Sequence, residues 1–257
     1  MKQRKWLFTI LLTIIISTVG CDSSQNVDFI GTMKQHLAEF LDESVDVDPS
    51  LGNLQTDNGS IEIEVYKSDK ISRTVFSSIH IEATGVYEES VFVYPEEGYD
   101  FPVLWANLTR FPGVNILIVD FIPLQDIVMS PDYAEEYVEP LKEVKATVLN
   151  EVLAGAVFDK AVDVRSLAVY AFSPYKTSIM IASNGLNSLS DALAEYCEAY
   201  IELVDSAEIL ADGPDKNYSE EKMAAFLSLF RENDPGYVYM IKAFGQEVTD
   251  DVFEIVF

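Results

Sequence analysis

The sequence predicts an α/β chain, folded as a three-layer α/β/α sandwich around a central antiparallel sheet. Two observations carry this. From Ile61 the pattern alternates, with Ile61, Ile63 and Val65 set against Glu62, Glu64 and Tyr66, as a half-buried strand does. More strand-like runs follow with tight turns between them, which argues for an antiparallel meander. Apolar stripes at helical spacing stand before and after this block. Helices on both faces are the natural way to bury both sides of such a sheet.

In chain order, residues 27–41 read as an amphipathic helix, with Met33, Leu37, Phe40 and Leu41 spaced for one face. Asp57-Asn58-Gly59 is a turn signal. Strands are predicted over 74–83, 90–94, 103–110 and 114–122, the last two joined by Phe111-Pro112-Gly113. Residues 135–153 read as a helix, and 167–172 with 177–182 as a hairpin around Ser173-Pro174. Leu189, Ala192, Leu193, Tyr196, Tyr200 and Leu203 form a helical stripe running through Leu210. Ser219 is predicted to cap the next helix, with Glu220 and Glu221 at the positive end of its dipole. Lys222 stands where a full capping box would place an acid. A polar turn with Asp234-Pro235 then leads into an apolar helix, a Phe244-Gly245 stop and a second short helix.

The first residues carry a different signal. Met1-Lys2-Gln3-Arg4-Lys5 precedes an apolar run from Trp6 to Ile16 and the small residues before Cys21. That is the layout of a secretory leader, and the run is short for a membrane-spanning helix. Thr18-Val19-Gly20-Cys21 is similar to a bacterial lipobox, in which the cysteine carries lipid. The expected organisation is a signal peptide over 1–20, a lipidated tether over 21–26 and one domain over 27–257, held at a membrane by Cys21 and exported. The net charge of the 257-residue chain is −26. Removing residues 1–20 takes Lys2, Arg4 and Lys5 and no acid, three units more, so −26 becomes −29. Such a surface repels nucleic acid and anionic lipid.

Only two cysteines and two histidines are present. With Cys21 lipidated, Cys197 has no disulfide partner and suits a small core position. No cluster at metal-ligand spacing appears, and no GxGxxG, Walker, GxSxG or HExxH motif. No bound metal or cofactor is expected.

Three stretches carry candidate chemistry. The first is Ile79-His80-Ile81-Glu82, where period-two spacing puts His80 and Glu82 on one strand face. The second runs from Ser90 through Tyr94-Pro95, Asp100-Phe101-Pro102 and Asn107 to Asp120-Phe121-Ile122-Pro123. The third is Asn233-Asp234-Pro235. An Asp before Pro is also a common helix start.

In order and spacing, the second and third stretches resemble the ferredoxin-dependent bilin reductases. The first is similar to the His-x-Glu strand of their phycocyanobilin branch. The resemblance implies an α/β/α sandwich that binds no prosthetic group. It implies reduction of a linear tetrapyrrole (bilin), by sequential electron transfer and protonation through substrate radicals. It implies an electron-donor protein, ferredoxin in the family. It makes Asp234 the main proton donor, with Glu82 and His80 orienting the ligand. Asn107 stands where several members carry a proton-donating Asp. Its amide can hydrogen-bond a lactam or pyrrole but cannot protonate it. Ser90 stands where the phycocyanobilin-type enzymes carry a catalytic His. Two other readings stay open: an exported lipoprotein that binds a tetrapyrrole without reducing it, and an unrelated interaction domain.

Overall fold

The computed structural model describes residues 27–112, 114–154, 157–160, 171–181 and 183–257. Cys21, the leader, Gly113 and residues 167–170 of the predicted hairpin lie outside the described residues.

The fold is a mixed α/β arrangement around one large antiparallel sheet, with helices at the C-terminus. Among the described residues nine strands form it: β1 (Glu43–Val45), β2 (Asn53–Thr56), β3 (Gly59–Ser68), β4 (Ile71–Ile81), β5 (Val86–Pro95), β6 (Val103–Phe111), β7 (Val114–Ile122), β8 (Val157–Lys160) and β9 (Thr177–Ile181). Their order is β1-β3-β4-β5-β6-β7-β9-β8, with β2 pairing β3 off this path. The β3-to-β7 part is the meander read from the sequence. Strand β9 pairs with β7 and β8. Ala171 and Phe172, at the end of the run predicted as its partner strand, belong to no strand.

Alternation divides the core in two. On β5 and β6, Val91, Val93, Leu104 and Ala106 belong to one buried cluster. Phe92, Tyr94, Val103 and Trp105 belong to another. The first packs under α1 (Phe29–His36), α2 (Glu139–Thr147) and α3 (Leu189–Ser206), through Phe29, Met33, Leu141, Tyr196 and Tyr200. The second packs under α4 (Pro214–Asn233), α5 (Tyr237–Phe244) and α6 (Gln246–Val256), through Phe226, Phe230, Met240 and Phe253.

Local chemistry sets the helix ends. Asp28 Oδ1 accepts from the Gly31 N–H at 2.8 Å and caps α1. At the end of α3, Lys70 Nζ donates to the carbonyls of Val204, Asp205 and Ala207 at 2.8, 3.0 and 2.9 Å. A cation there meets the negative end of the helix dipole. This helix stops at Ser206 rather than running through Leu210, because Leu210 N–H is drawn to the Gly98 carbonyl at 2.8 Å. Helix α4 starts at Pro214, just after Gly213. Ser219 therefore lies inside it, buried, donating to the Lys216 carbonyl at 3.2 Å, and caps nothing. Lys222 donates to the Gln125 carbonyl. Between α5 and α6, Gly245 takes φ +90°, the left-handed conformation a stop of this kind needs. Cys197 is fully buried, and burial pushes its thiol up to about 12.

Candidate functional site

Two prolines position the centre of the site. Pro95 ends β5 and Pro102 precedes β6. Ser90 lies five residues before the one and Asn107 five after the other, and the register sets them directly opposite. Ser77 lies opposite Ser90 on β4. Ser77, Ser90 and Asn107 thus form a polar row across three strands, on the face that α4 to α6 cover. All three are buried.

Hydrogen bonds tie Ser90 and Asn107 together. Asn107 Nδ2 donates to Ser90 Oγ at 2.8 Å and to Glu88 Oε1 at 2.8 Å. Thr109 Oγ1 donates to Asn107 Oδ1 at 2.9 Å, and Ser90 Oγ reaches Glu88 Oε1 at 3.4 Å. Both amide hydrogens of Asn107 are therefore engaged by the protein itself.

The other predicted residues fall elsewhere. His80 lies opposite Tyr87, and Tyr87 opposite Arg110. His80 is three positions from Ser77 on β4, and an odd separation puts side chains on opposite faces. His80 thus sits on the α1 side of the sheet, with its ring 6.1 Å from that of Tyr87. Strand β4 ends at Ile81, so Glu82 opens the turn rather than sharing a strand face, and its N–H donates to the Asn58 carbonyl at 3.0 Å. His80 Nδ1 and Glu82 Oε1 are 3.6 Å apart, both partly exposed. The structure joins Ser90 with Asn107, and His80 with Glu82, but does not bring the two pairs to one face.

Asp234 is the residue at which α4 ends, with its N–H on the Phe230 carbonyl at 2.9 Å. Its Oδ1 accepts from the Gly236 N–H at 2.6 Å, which shapes the turn into α5. It is half-buried and stands on the same side of the sheet as Asn107, because Phe230, one turn earlier, packs edge-on against Trp105 at 5.1 Å. The shallow groove lined by Ala224, Leu227, Ser228, Arg231 and Glu232 contains none of the predicted residues.

Sequence reasoning gave no role to two acids on this face. Glu88 was hidden in Tyr87-Glu88-Glu89-Ser90, where only the pleat tells the two glutamates apart. Glu88 joins Asn107, whereas Glu89 faces the other side and pairs with Arg110. Asp120, opposite Trp105, is fully buried. It accepts from Ser173 N–H at 3.1 Å and from Ser173 Oγ. Burial outweighs these bonds and the nearby Lys176, and pushes its carboxyl up to about 7.

Comparison with known proteins decides the family. The model of the ferredoxin-dependent bilin reductases matches residues 32–257. The chain belongs to that family. It is 22% identical over 193 residues to the chloroplastic phytochromobilin:ferredoxin oxidoreductase of Arabidopsis thaliana, covering 74% of this chain and 56% of that one. It is 24% identical over 161 residues to phycoerythrobilin:ferredoxin oxidoreductase of Nostoc punctiforme, covering 62% of this chain and 60% of that one. The chain thus spans just over half the length of these relatives. In fold it is similar to tomato phytochromobilin synthase, solved in complex with biliverdin. The TM-score is 0.70 at 19% identity, over 87% of this chain and 79% of that one. The bilin-reductase fold is thus shared at low identity.

The raised carboxyl of Asp120 has a measurable consequence. Its folded pKa lies above the unfolded one, so between about pH 4 and pH 7 the folded state keeps a proton that the unfolded state has lost. The stability from this group is full below that window and is lost as pH rises through it, by roughly 4 kcal/mol at most. Asp120→Asn is expected to flatten this dependence. Urea midpoints at pH 5 and pH 7.5 check it. An unchanged difference between the two pH values in the variant would refute the assignment.

Proposed function

We propose that this chain binds a linear tetrapyrrole and reduces it, taking one electron and one proton at a time through radicals of the substrate. Family membership supports the reaction class, and the tomato relative's biliverdin supports the ligand class. The observation that carries the reading onto this chain is the buried Ser90–Asn107 row. An apolar sheet face covered by aromatic-bearing helices would otherwise be filled with apolar side chains. Polar groups kept there offer oxygen lone pairs, on Asn107 Oδ1 and Ser90 Oγ, that can accept from the pyrrole N–H groups of an otherwise apolar ligand.

In this reading Asp234 supplies a proton. It is a carboxyl at a helix junction, half-buried on the same side of the sheet as Asn107. Capping and acid roles are compatible, since a protonated carboxyl still accepts a hydrogen bond. His80 and Glu82 are not assigned to the ligand here, because the sheet turns His80 away from that face and Glu82 lies in the turn.

The full chain is expected to shift the visible band of biliverdin on titration. Asp234→Asn keeps the cap and the shape but removes the acid. It should bind biliverdin as the wild type does and slow protonation by about 10²–10⁴. Anaerobic single-turnover spectra would show a bilin radical that forms and then stalls. Reduction at the wild-type rate would leave Asp234 as a cap only. A wild type that binds biliverdin but is reduced by no donor would support a tetrapyrrole-binding protein instead.

The donor is proposed to be a one-electron carrier whose docking face is not strongly acidic. The charge of −26 repels an acidic ferredoxin, and repulsion is strongest where screening lengths are longest. Turnover with an acidic plant-type ferredoxin should therefore rise as salt is added from a low starting value. Fastest turnover at the lowest salt would show a local basic docking surface and refute this.

The membrane anchor is likewise a proposal, motivated by Thr18-Val19-Gly20-Cys21 after a basic and apolar leader. Two or more acyl chains hold a protein stably, whereas one does so marginally. Growth with a fatty-acid probe should label the wild type and leave Cys21→Ser unlabelled. Equal labelling of both would end the lipoprotein reading.

A further inference from the structure

Asn107 cannot give up a proton, and its two amide hydrogens are already committed. One goes to Ser90 Oγ and one to Glu88 Oε1, each at 2.8 Å. Its carbonyl oxygen takes the hydroxyl of Thr109 at 2.9 Å. The amide is therefore held in one orientation, and the group it aims at is a carboxyl.

We propose that Glu88 is a proton donor of the reaction and that Asn107 is the positioning residue that holds it. The inference rests on the bilin reading above. Saturating one double bond with two electrons consumes two protons, and a second acid beside Asp234 lets each electron be met by its own proton. Three other acids near the sheet are poor candidates. Glu89 faces the opposite side of the sheet. Glu82 lies in the turn beyond the end of β4, away from the polar row. Asp120 is fully buried with both oxygens taken by Ser173, so it has no route to recover a proton from water. Glu88 is half-buried, on the α4-to-α6 face, and joined to the polar row.

The step balances simply. A low-potential one-electron carrier protein, external to this chain, delivers an electron to the bound tetrapyrrole and gives its radical anion. The Glu88 carboxyl O–H bond breaks, and the proton forms a new bond on that radical. Glu88 is left as a carboxylate, steadied by the Asn107 amide, until water on its exposed side restores the proton. The second electron and the Asp234 proton complete the reduction.

The test uses the full chain loaded with biliverdin under anaerobic conditions, with a small one-electron reductant and with absorption and electron paramagnetic resonance as readouts. Glu88→Gln should still shift the biliverdin band and still form the radical. Decay of that radical should slow by about 10²-fold or more, the usual loss when one general acid is removed. Glu88→Asp should recover part of the rate. So should the double variant Glu88→Gln with Asn107→Asp, which returns a carboxyl on the other side of the same hydrogen bond. Wild-type decay in Glu88→Gln would overturn the proposal and leave the bilin reading intact. So would loss of biliverdin binding in both Glu88→Gln and Glu88→Asp, which would mark Glu88 as structural. A wild type that leaves the biliverdin spectrum unchanged would overturn the bilin reading itself, and this inference with it.

Discussion

The contact on which the site side of this molecule depends is the aromatic stack between the sheet and the C-terminal helices. Phe92 and Trp105 lie cross-strand and parallel, with centroids 6.0 Å apart. Phe230 meets both edge-on, at 6.1 and 5.1 Å. Phe257 joins Phe92 and Phe230 at 5.3 and 5.4 Å. Each such pair adds about 0.5–1.5 kcal/mol beyond the area it buries. Their larger effect is geometric. Phe230 fixes the end of α4, and α4 ends at Asp234. Tyr94 adds a polar pin, donating to the Val256 carbonyl at 2.7 Å, which holds the last turn of α6 on the sheet.

Beside this stack the same face turns polar. An unsatisfied buried amide costs about 1–3 kcal/mol, so Asn107 is tolerable only because Thr109, Ser90 and Glu88 satisfy it. Apolar side chains of similar size would stabilise the fold more simply. A hydrogen-bonded network at that place therefore points to use rather than to stability. Asp120 is the contrasting case on the same face. It binds the backbone and hydroxyl of Ser173, at the turn before β9, and so reads as a staple for that turn.

Much of the fold was legible because period two and turn chemistry agree over the meander. The strand predicted over 114–122 has the observed bounds of β7. Strand β5 begins at Val86, four residues earlier than predicted, because Tyr87, Glu88 and Glu89 break the apolar alternation while the backbone keeps pairing. Strands β1 and β2 are short and mostly exposed, so no pattern marks them. Ser219 misled because a good capping residue stood five positions inside a helix that Gly213-Pro214 had already opened. The paired prolines made the pairing of Ser90 with Asn107 readable. The face of His80 was not, since it depends on register parity, which the length of the turn after Ile81 sets and which no local motif reveals. The same parity hid Glu88.

The burial of the acids also orders what each can do. A proton donor must recover its proton between turnovers, and that requires contact with water or with a chain of exchangeable groups. Asp120 has neither an exposed oxygen nor a free one, so a raised carboxyl there serves stability and its pH dependence, not turnover. Glu88 and Asp234 are both half-buried. On the bilin reading, each stands close enough to solvent to be recharged between turnovers. An amide at position 107 need not abolish proton delivery under these conditions. On the proposal above, the acid stands beside the centre of the row, at the far end of a hydrogen bond already in place.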